Sequence, residues 1–305
     1  MNKKFIVTAV AIIALASIFV YSYFTSLGAS GTIRVSGAFA LYPLMVKWAE
    51  EYQKIHPDVK IEVSAGGAGK GMTDALTRLV DIGMVSRDVL PEEIANGAFF
   101  VTVTKDAVVA TINKNNPVLN DILTKGITKQ TFYNIYIGGN VTTWGQVISN
   151  SSIANAIHVY TRSDSCGAAD NWAKYLGKKQ EDLLGTGVYG DPGLLDAVKN
   201  DPLGIGFNNI GYAYDLQTKK EVEGIKVTPI DVNNNGQIDP EEDFYNTRDK
   251  LVEAIIQGGY PSPPARNEYL VTKDRFTGLT KEFVKWILTD GQAYVGEAGY
   301  VPLPQ

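Results

Sequence analysis

The chain has 305 residues, 45% apolar and 20% charged, an ordinary globular composition with enough length for two domains. A net charge of −5 excludes wholesale binding to nucleic acid, so any anion must be gripped by local groups rather than by a global field. One cysteine, Cys166, excludes an intrachain disulfide, and the two histidines, His56 and His158, leave little for metal chemistry or catalysis.

Asn2, Lys3 and Lys4 precede an almost unbroken apolar run from Phe5 to Phe24, which reads as an export signal. About 20 apolar residues also suffice to span a bilayer. Residues 1–30 are therefore expected to be a removed signal peptide, with a small-x-small site at Gly28-Ala29-Ser30, or a retained anchor. No cysteine near that site speaks for a lipid anchor. In either case the remainder is expected outside the cytoplasm, periplasmic or at the cell surface.

Thr32 to Ser36 reads as a strand, and a helix follows from Pro43, with Leu44, Trp48, Tyr52 and Ile55 at helical spacing. Val59 to Val63 alternates as a strand before the run Ala65 to Gly71. A second helix is expected to place Met72, Ala75, Leu76, Leu79 and Val80 on one side, and the strand Asp81 to Val85 ends at Ser86-Arg87. Further on, Val101 to Ile112 is a long β-rich run, and helical stretches lie near Asn120 to Tyr136. His158 to Thr161 is a strand, and Asp170 starts a helix. Glu268 to Thr272 and Lys281 to Leu288 are the last strand and helix. Alternating strands and helices predict an α/β layered fold.

Three loops stand between the end of a strand and the start of a helix: Ser36–Pro43, Gly66–Gly71 and Arg162–Ala168. A helix start offers N–H groups without internal partners and the positive end of the macrodipole. Several such starts converging can replace the water shell of an anion. Arg162 supplies a planar fork for two oxyanion oxygens, Asp164 is placed to orient it, and Arg87 is a second candidate clamp. A P-loop would need glycine at position 64 and Ser or Thr after Lys70, where this chain has Ser64 and Gly71, so it is no NTPase of that type.

The ordered set Ser36-Gly37-Ala38-Phe39-Ala40-Leu41-Tyr42-Pro43, Gly66 to Gly71, Asp81 to Arg87 and Arg162 to Ala168 resembles the phosphate-binding proteins of the phosphate ABC transporter. Gly259-Tyr260-Pro261 and the ending Gly299 to Pro304 are similar to that family's tail. The resemblance implies a two-lobed periplasmic-binding-protein-like fold with a strand hinge, lobe one being residues 31–110 plus 268–305 and lobe two 111–267. It implies ligand contacts from Ala40, Leu41, Tyr42, Ala68, Gly69, Ser86 and Arg87 on one lobe. Arg162, Asp164, Cys166, Gly167 and Ala168 would face them from the other.

It further implies capture of phosphate or a similar oxyanion by a monomer, and delivery to a membrane permease. The alternative is a surface oxyanion sensor or adhesion module without a transporter. The family pattern carries hydroxyl residues where this chain has Leu41, Ala68, Cys166 and Ala168. Up to four side-chain hydrogen bonds, each worth about 1.5–3 kcal/mol to a charged ligand, are thereby absent.

Asp231 to Glu242 matches the twelve-residue calcium loop at every ligand position. Asp231, Asn233 and Asn235 would supply side-chain oxygens, Gln237 a carbonyl, Asp239 a water-bridged contact and Glu242 a bidentate one, with Gly236 at the sharp turn. Val227 to Ile230 before it looks like a strand, so a structural Ca2+ rather than a sensor hand is expected. No histidine is placed to activate Cys166, Ser163 or Ser165, and no His/Cys set has zinc spacing, so the chain is not expected to be an enzyme.

Overall fold

The structure, a computed structural model, describes residues 30–303. The leader expected near Phe5–Phe24 lies outside them. Among the described residues no helix is long and apolar enough to cross a membrane.

Strand β1 (Gly31–Gly37) turns Ile33 and Val35 inward and leaves Arg34 exposed, the two-residue period of a half-buried strand. It pairs in parallel with β2 (Val59–Ala65) and β3 (Ile82–Val85). Helix α1 (Tyr42–Ile55) has Pro43 in its first turn and buries Leu44, Met45, Trp48 and Tyr52 against this sheet. Helix α2 (Ala68–Leu76) starts and stops earlier than expected. Arg78 takes φ 61°, and the amides of Leu79 and Val80 turn back to the Asp74 carbonyl. Leu79 is consequently 64% exposed and not part of the core stripe.

Strand β4 (Ala98–Asn113) runs through both halves of the molecule. The helical stretches expected near 120–136 are Leu119–Lys125, Lys129–Tyr133 and a π turn at Asn134–Gly138, with β5 (Ile127–Thr128) between the first two. Gly126 makes the break between those two: its φ is 68°, and a side chain there would meet Asp231 and Ile238. Next come β6 (His158–Arg162), helix α3 (Gly167–Tyr175), β7 (Thr186–Val188), helix α4 (Gly190–Lys199) and β8 (Gly204–Asn209). The chain ends with β9 (Ile225–Val227), β10 (Ile230–Asp231), helix α5 (Arg248–Gln257), β11 (Ala265–Lys273) and helix α6 (Gly278–Leu288). The main sheet has the order β2-β1-β3-β11-β4-β8-β6-β7, with β9 also on β4; β10 and β5 form a separate pair.

Two hydrophobic cores share this sheet. One gathers Ile33 to Val103 with Tyr269 to Tyr300, around Trp48, Phe283 and Trp286. The other runs from Ala107 to Ala265, around Trp144, Trp172 and Phe207. The change of core falls between Val103 and Ala107 on β4 and between Ala265 and Tyr269 on β11. These two antiparallel strands are the crossing between two lobes. The aromatic residues Trp48, Tyr52, Trp172 and Tyr175 are all buried, as their helical spacing predicts.

Candidate ligand cleft

The three strand-to-helix junctions meet where the lobes face each other. The Gly69 amide donates to the Ser165 carbonyl at 3.2 Å, from the first lobe to the second. Asn171 Nδ2 donates to the Ser86 carbonyl at 3.1 Å and to the Gly167 carbonyl at 2.8 Å. The Phe39 carbonyl accepts from the Tyr212 hydroxyl at 3.3 Å, and the Phe39 ring meets Tyr189 edge-on at 6.0 Å. Gly167 packs so tightly on Ser86 that a methyl group there would overlap the Ser86 carbonyl. The lobes are closed on one another.

Helix α3 begins at Gly167, three residues before the expected start at Asp170, which makes Cys166 its N-cap. Cys166 Sγ accepts from the Ala169 amide at 3.4 Å. Burial pushes its thiol up to about 12 against the pull of Arg162. The amides of Gly167 and Ala168, and that of Ala68 at the start of α2, have no protein acceptor among the described residues. Gly67, at φ 92°, lets the chain approach the Ser165 carbonyl there.

The first junction behaves differently from expectation. The amides of Leu41 and Tyr42 turn back to the carbonyls of Ala38 and Phe39 in a 3-10 turn, so they are engaged within their own loop. Leu41 is fully buried, and the Ala40 carbonyl accepts from the Tyr300 hydroxyl.

Arg162 is held on three sides. Its Nε and Nη2 donate to the two carboxylate oxygens of Asp164 at 2.8 and 2.7 Å, so Asp164 occupies that edge of the fork. Its Nη1 donates to Asp191 Oδ2 at 2.6 Å. Its guanidinium carbon lies 5.5 Å from the centre of the Phe39 ring. Burial opposes its charge, but Asp191 and Asp164 outweigh that and hold its pKa above the ordinary range. Asp191 is fully buried and also accepts from the amide and Nδ2 of Asn209, at 3.1 and 2.8 Å.

Arg87 is no free clamp. Its Nη1 and Nη2 donate to Glu93 at 2.9 and 2.6 Å, and Nη1 also reaches the Asp88 carbonyl. Glu93 accepts as well from the Leu90 amide, at the start of the short helix Pro91–Ala95. A carboxylate six residues away thus takes the fork that the strand end was expected to offer an anion. Ser86, just before it, remains at the lobe interface through its carbonyl.

A model described as a PBP superfamily domain matches residues 24–291. The chain belongs to that family.

Among relatives of this PBP superfamily chain, the phosphate-binding protein PstS of Bacillus subtilis is 26% identical over 278 residues, covering 90% of this chain and 82% of the relative. Protein SphX of Synechococcus elongatus is 28% identical, covering 89% and 77%. A substrate-binding protein of Clostridium perfringens, solved with bound phosphate, superposes with a TM-score of 0.73 at 24% identity, over 90% of this chain and all of that one.

Besides Asp191, three buried charged residues of the crossing strands escaped the sequence reading: Asp106 on β4, and Arg266 and Glu268 on β11. All three are buried on one face of the crossing strands. The signal was present, because Asp106 interrupts an apolar run and Arg266 and Glu268 alternate on the last strand.

The loop at 231–242 folds with its polar side chains facing one another. Asn233 Nδ2 and Asn235 Nδ2 both donate to Asp239 Oδ2 at 2.8 Å, and the Asn235 and Gly236 amides donate to Asp231. Glu242 reaches back to the amides of Val232 and Asn233. Among the described residues no group of three or more His, Cys, Asp or Glu stands at metal-holding distance, so a cation here would depend on the amide oxygens and the Gln237 carbonyl as well. His158 pairs with Asp201 and does not serve Cys166.

Proposed function

We propose that this PBP superfamily chain is an extracytoplasmic receptor that closes on phosphate, or an oxyanion of the same shape, and presents it to an ABC importer. The observation that carries this reading is the meeting of the starts of α2 and α3 and Arg162 in one closed interlobe cleft. The amides of Ala68, Gly167 and Ala168, unpaired among the described residues, are neutral donors of the kind that hold an oxyanion without a matching countercharge. Two carboxylates already balance Arg162, so those dipoles carry much of the grip.

The relatives bearing the name phosphate-binding protein support phosphate as the first ligand to try. The missing hydroxyls at Leu41, Ala68, Cys166 and Ala168 favour weaker binding or a related oxyanion. Titration calorimetry with phosphate, arsenate, sulfate and molybdate tests the reading: saturable binding of phosphate is expected, and no heat with any of the four would sink it. Export by the apolar leader, action as a monomer and the permease as partner belong to the same proposal.

The 231–242 loop is proposed to take a structural Ca2+, on the support of its complete twelve-residue pattern and the inward turn of Asp231, Asn233, Asn235, Asp239 and Glu242. The loop is pinned to its lobe by β10 on β5 and by the Ile238 amide on the Thr124 carbonyl, which suits a fixed rather than a switching site.

A further inference from the structure

The crossing strands carry a charged cluster with no assigned part in ligand capture. Asp106 on β4 stands directly across from Arg266 on β11, and Glu268 follows two residues later on the same face. Arg266 Nε donates to Glu268 Oε1 at 3.1 Å, and Nη2 donates to Asp106 Oδ2 at 3.4 Å and to Asn209 Oδ1. Its Nη1 donates to the Gly167 carbonyl at 3.1 Å, which ties the hinge to the first residue of α3. The other two carboxylate oxygens, Asp106 Oδ1 and Glu268 Oε2, are buried without a hydrogen-bond partner among the described residues.

Two carboxylates against one guanidinium leave a surplus negative charge in a dry place, which is costly unless a proton removes it. The surroundings do not cancel that surplus. Asp191 on α4 adds repulsion, and Arg162 on β6 is already matched by Asp191 and Asp164. Tyr212, Tyr260 and Tyr300 approach as phenols whose pKa values burial raises. Asn209 from β8 and the Gly167 carbonyl are neutral. On the far side of Arg266, a cavity of about 440 Å³ holds Lys105, Asp88 and Lys174, the last two paired with each other. Asp170 on α3 lies near it, beside Arg87 and Lys174.

We propose that Asp106 and Glu268 hold one proton between them in the closed protein, and that lobe closure over this hinge takes that proton up from solvent. The step is one carboxylate plus one proton giving one carboxylic acid, with the new O–H on an oxygen that now has no partner. Closure matters because the cluster is covered by Gly167 and Asn209 from one lobe and by the Tyr300 tail from the other. Parted lobes would admit water and let both groups ionise. Burial raises both carboxyl pKa values and Asp191 adds to it at both, with Asp106 also repelling Glu268, while Arg266 opposes at both and the Ala107 amide opposes at Asp106. The link to ligand capture rests on the receptor reading above.

The test uses the full chain, Glu268→Gln and Asp106→Asn. Either substitution leaves one carboxylate matched to Arg266, so neither variant requires the proton. A carboxyl whose pKa burial raises in the folded protein binds more protons there than in the unfolded chain, so stability falls as pH rises from the unfolded value toward the folded one. From about pH 6 to 9 the phosphate-saturated wild-type Tm is expected to fall relative to both variants, and the ligand-free Tm, with the lobes parted for part of the time, to fall less. Parallel curves would overturn the shared proton.

Calorimetry with inorganic phosphate at about pH 7.5, in two buffers of different ionisation enthalpy, counts protons taken up; about one more is expected for wild type than for either variant. The ligand's own proton change is common to all three and cancels. Equal counts would overturn the coupling to closure. Absence of phosphate binding would instead overturn the receptor reading, while the melting curves still decide the proton. Should both variants fail to fold, the infrared difference spectrum of phosphate-bound minus free wild type must gain a protonated-carboxyl band; a spectrum without it refutes the proposal.

Discussion

Arg162 and Asp191 form a buried ion pair, Nη1 to Oδ2 at 2.6 Å, linking the end of β6 to the first turn of α4. Asp191 is braced by Asn209, so the guanidinium has one position from which to serve the cleft. Removing Asp191 leaves Arg162 paired with Asp164 but takes the acceptor from its buried Nη1 and from the Asn209 amide and Nδ2, at a cost of about 1–3 kcal/mol. Asp191→Ala is therefore expected to destabilise the protein by about that amount in urea unfolding at neutral pH. A loss below about 1 kcal/mol would mean that water reaches Arg162 in solution.

Gly167→Ala separates closure from folding. Gly167 is the first residue of α3, where alanine is an acceptable helix former, but its methyl would strike the Ser86 carbonyl of the opposite lobe. Tm in the absence of ligand should stay close to wild type, while phosphate affinity drops by about 100-fold or more, the equivalent of about 2.7 kcal/mol. Unchanged affinity would show that the closed contact between Gly167 and Ser86 is not needed for binding.

Cys166→Ser should fold, and bind phosphate as well as wild type or better. A serine oxygen is a stronger N-cap acceptor for the Ala169 amide than Sγ, and its hydroxyl restores one donor to the start of α3. The same burial that raises the thiol pKa keeps wild-type Cys166 neutral, so a thiol reagent should modify it slowly until the protein is unfolded. Loss of binding in Cys166→Ser would contradict the placement of Cys166 at the ligand.

If Ca2+ fills the 231–242 loop, chelation lowers Tm and added Ca2+ restores it. At an ion concentration of about 100 times Kd the gain is about 2.7 kcal/mol. Asp231→Ala should abolish the response, since Asp231 is buried and faces the loop amides. A Tm that ignores both chelator and ion rules out a structural cation there.

The alternation of strands and helices, the three junctions and the core aromatics were legible because each depends on neighbours a few residues apart. Cys166 stands at the third junction, though the helix start at Gly167 was hidden by the polar run Ser163-Asp164-Ser165 just before it. The Arg87–Glu93 pair was legible in principle, with Glu93 positioned to cap its short helix, yet a strand-end arginine looks the same whether its fork meets a ligand or a neighbour. Leu79 misled because its spacing continues the α2 stripe past the turn at Arg78.

Local pattern by itself determined an α/β chain with glycine-bearing helix starts after three strands and an arginine beside one of them. That follows from dihedral preference and side-chain period, which act over one or two turns. Only the tertiary structure decided which charges meet: Arg162 with Asp191, 29 residues away, and Arg266 with Asp106, 160 residues away. Ion pairs in a dry interior are chosen by the closing of the sheet and the docking of two lobes. No rule of sequence spacing reaches across β4 and β11.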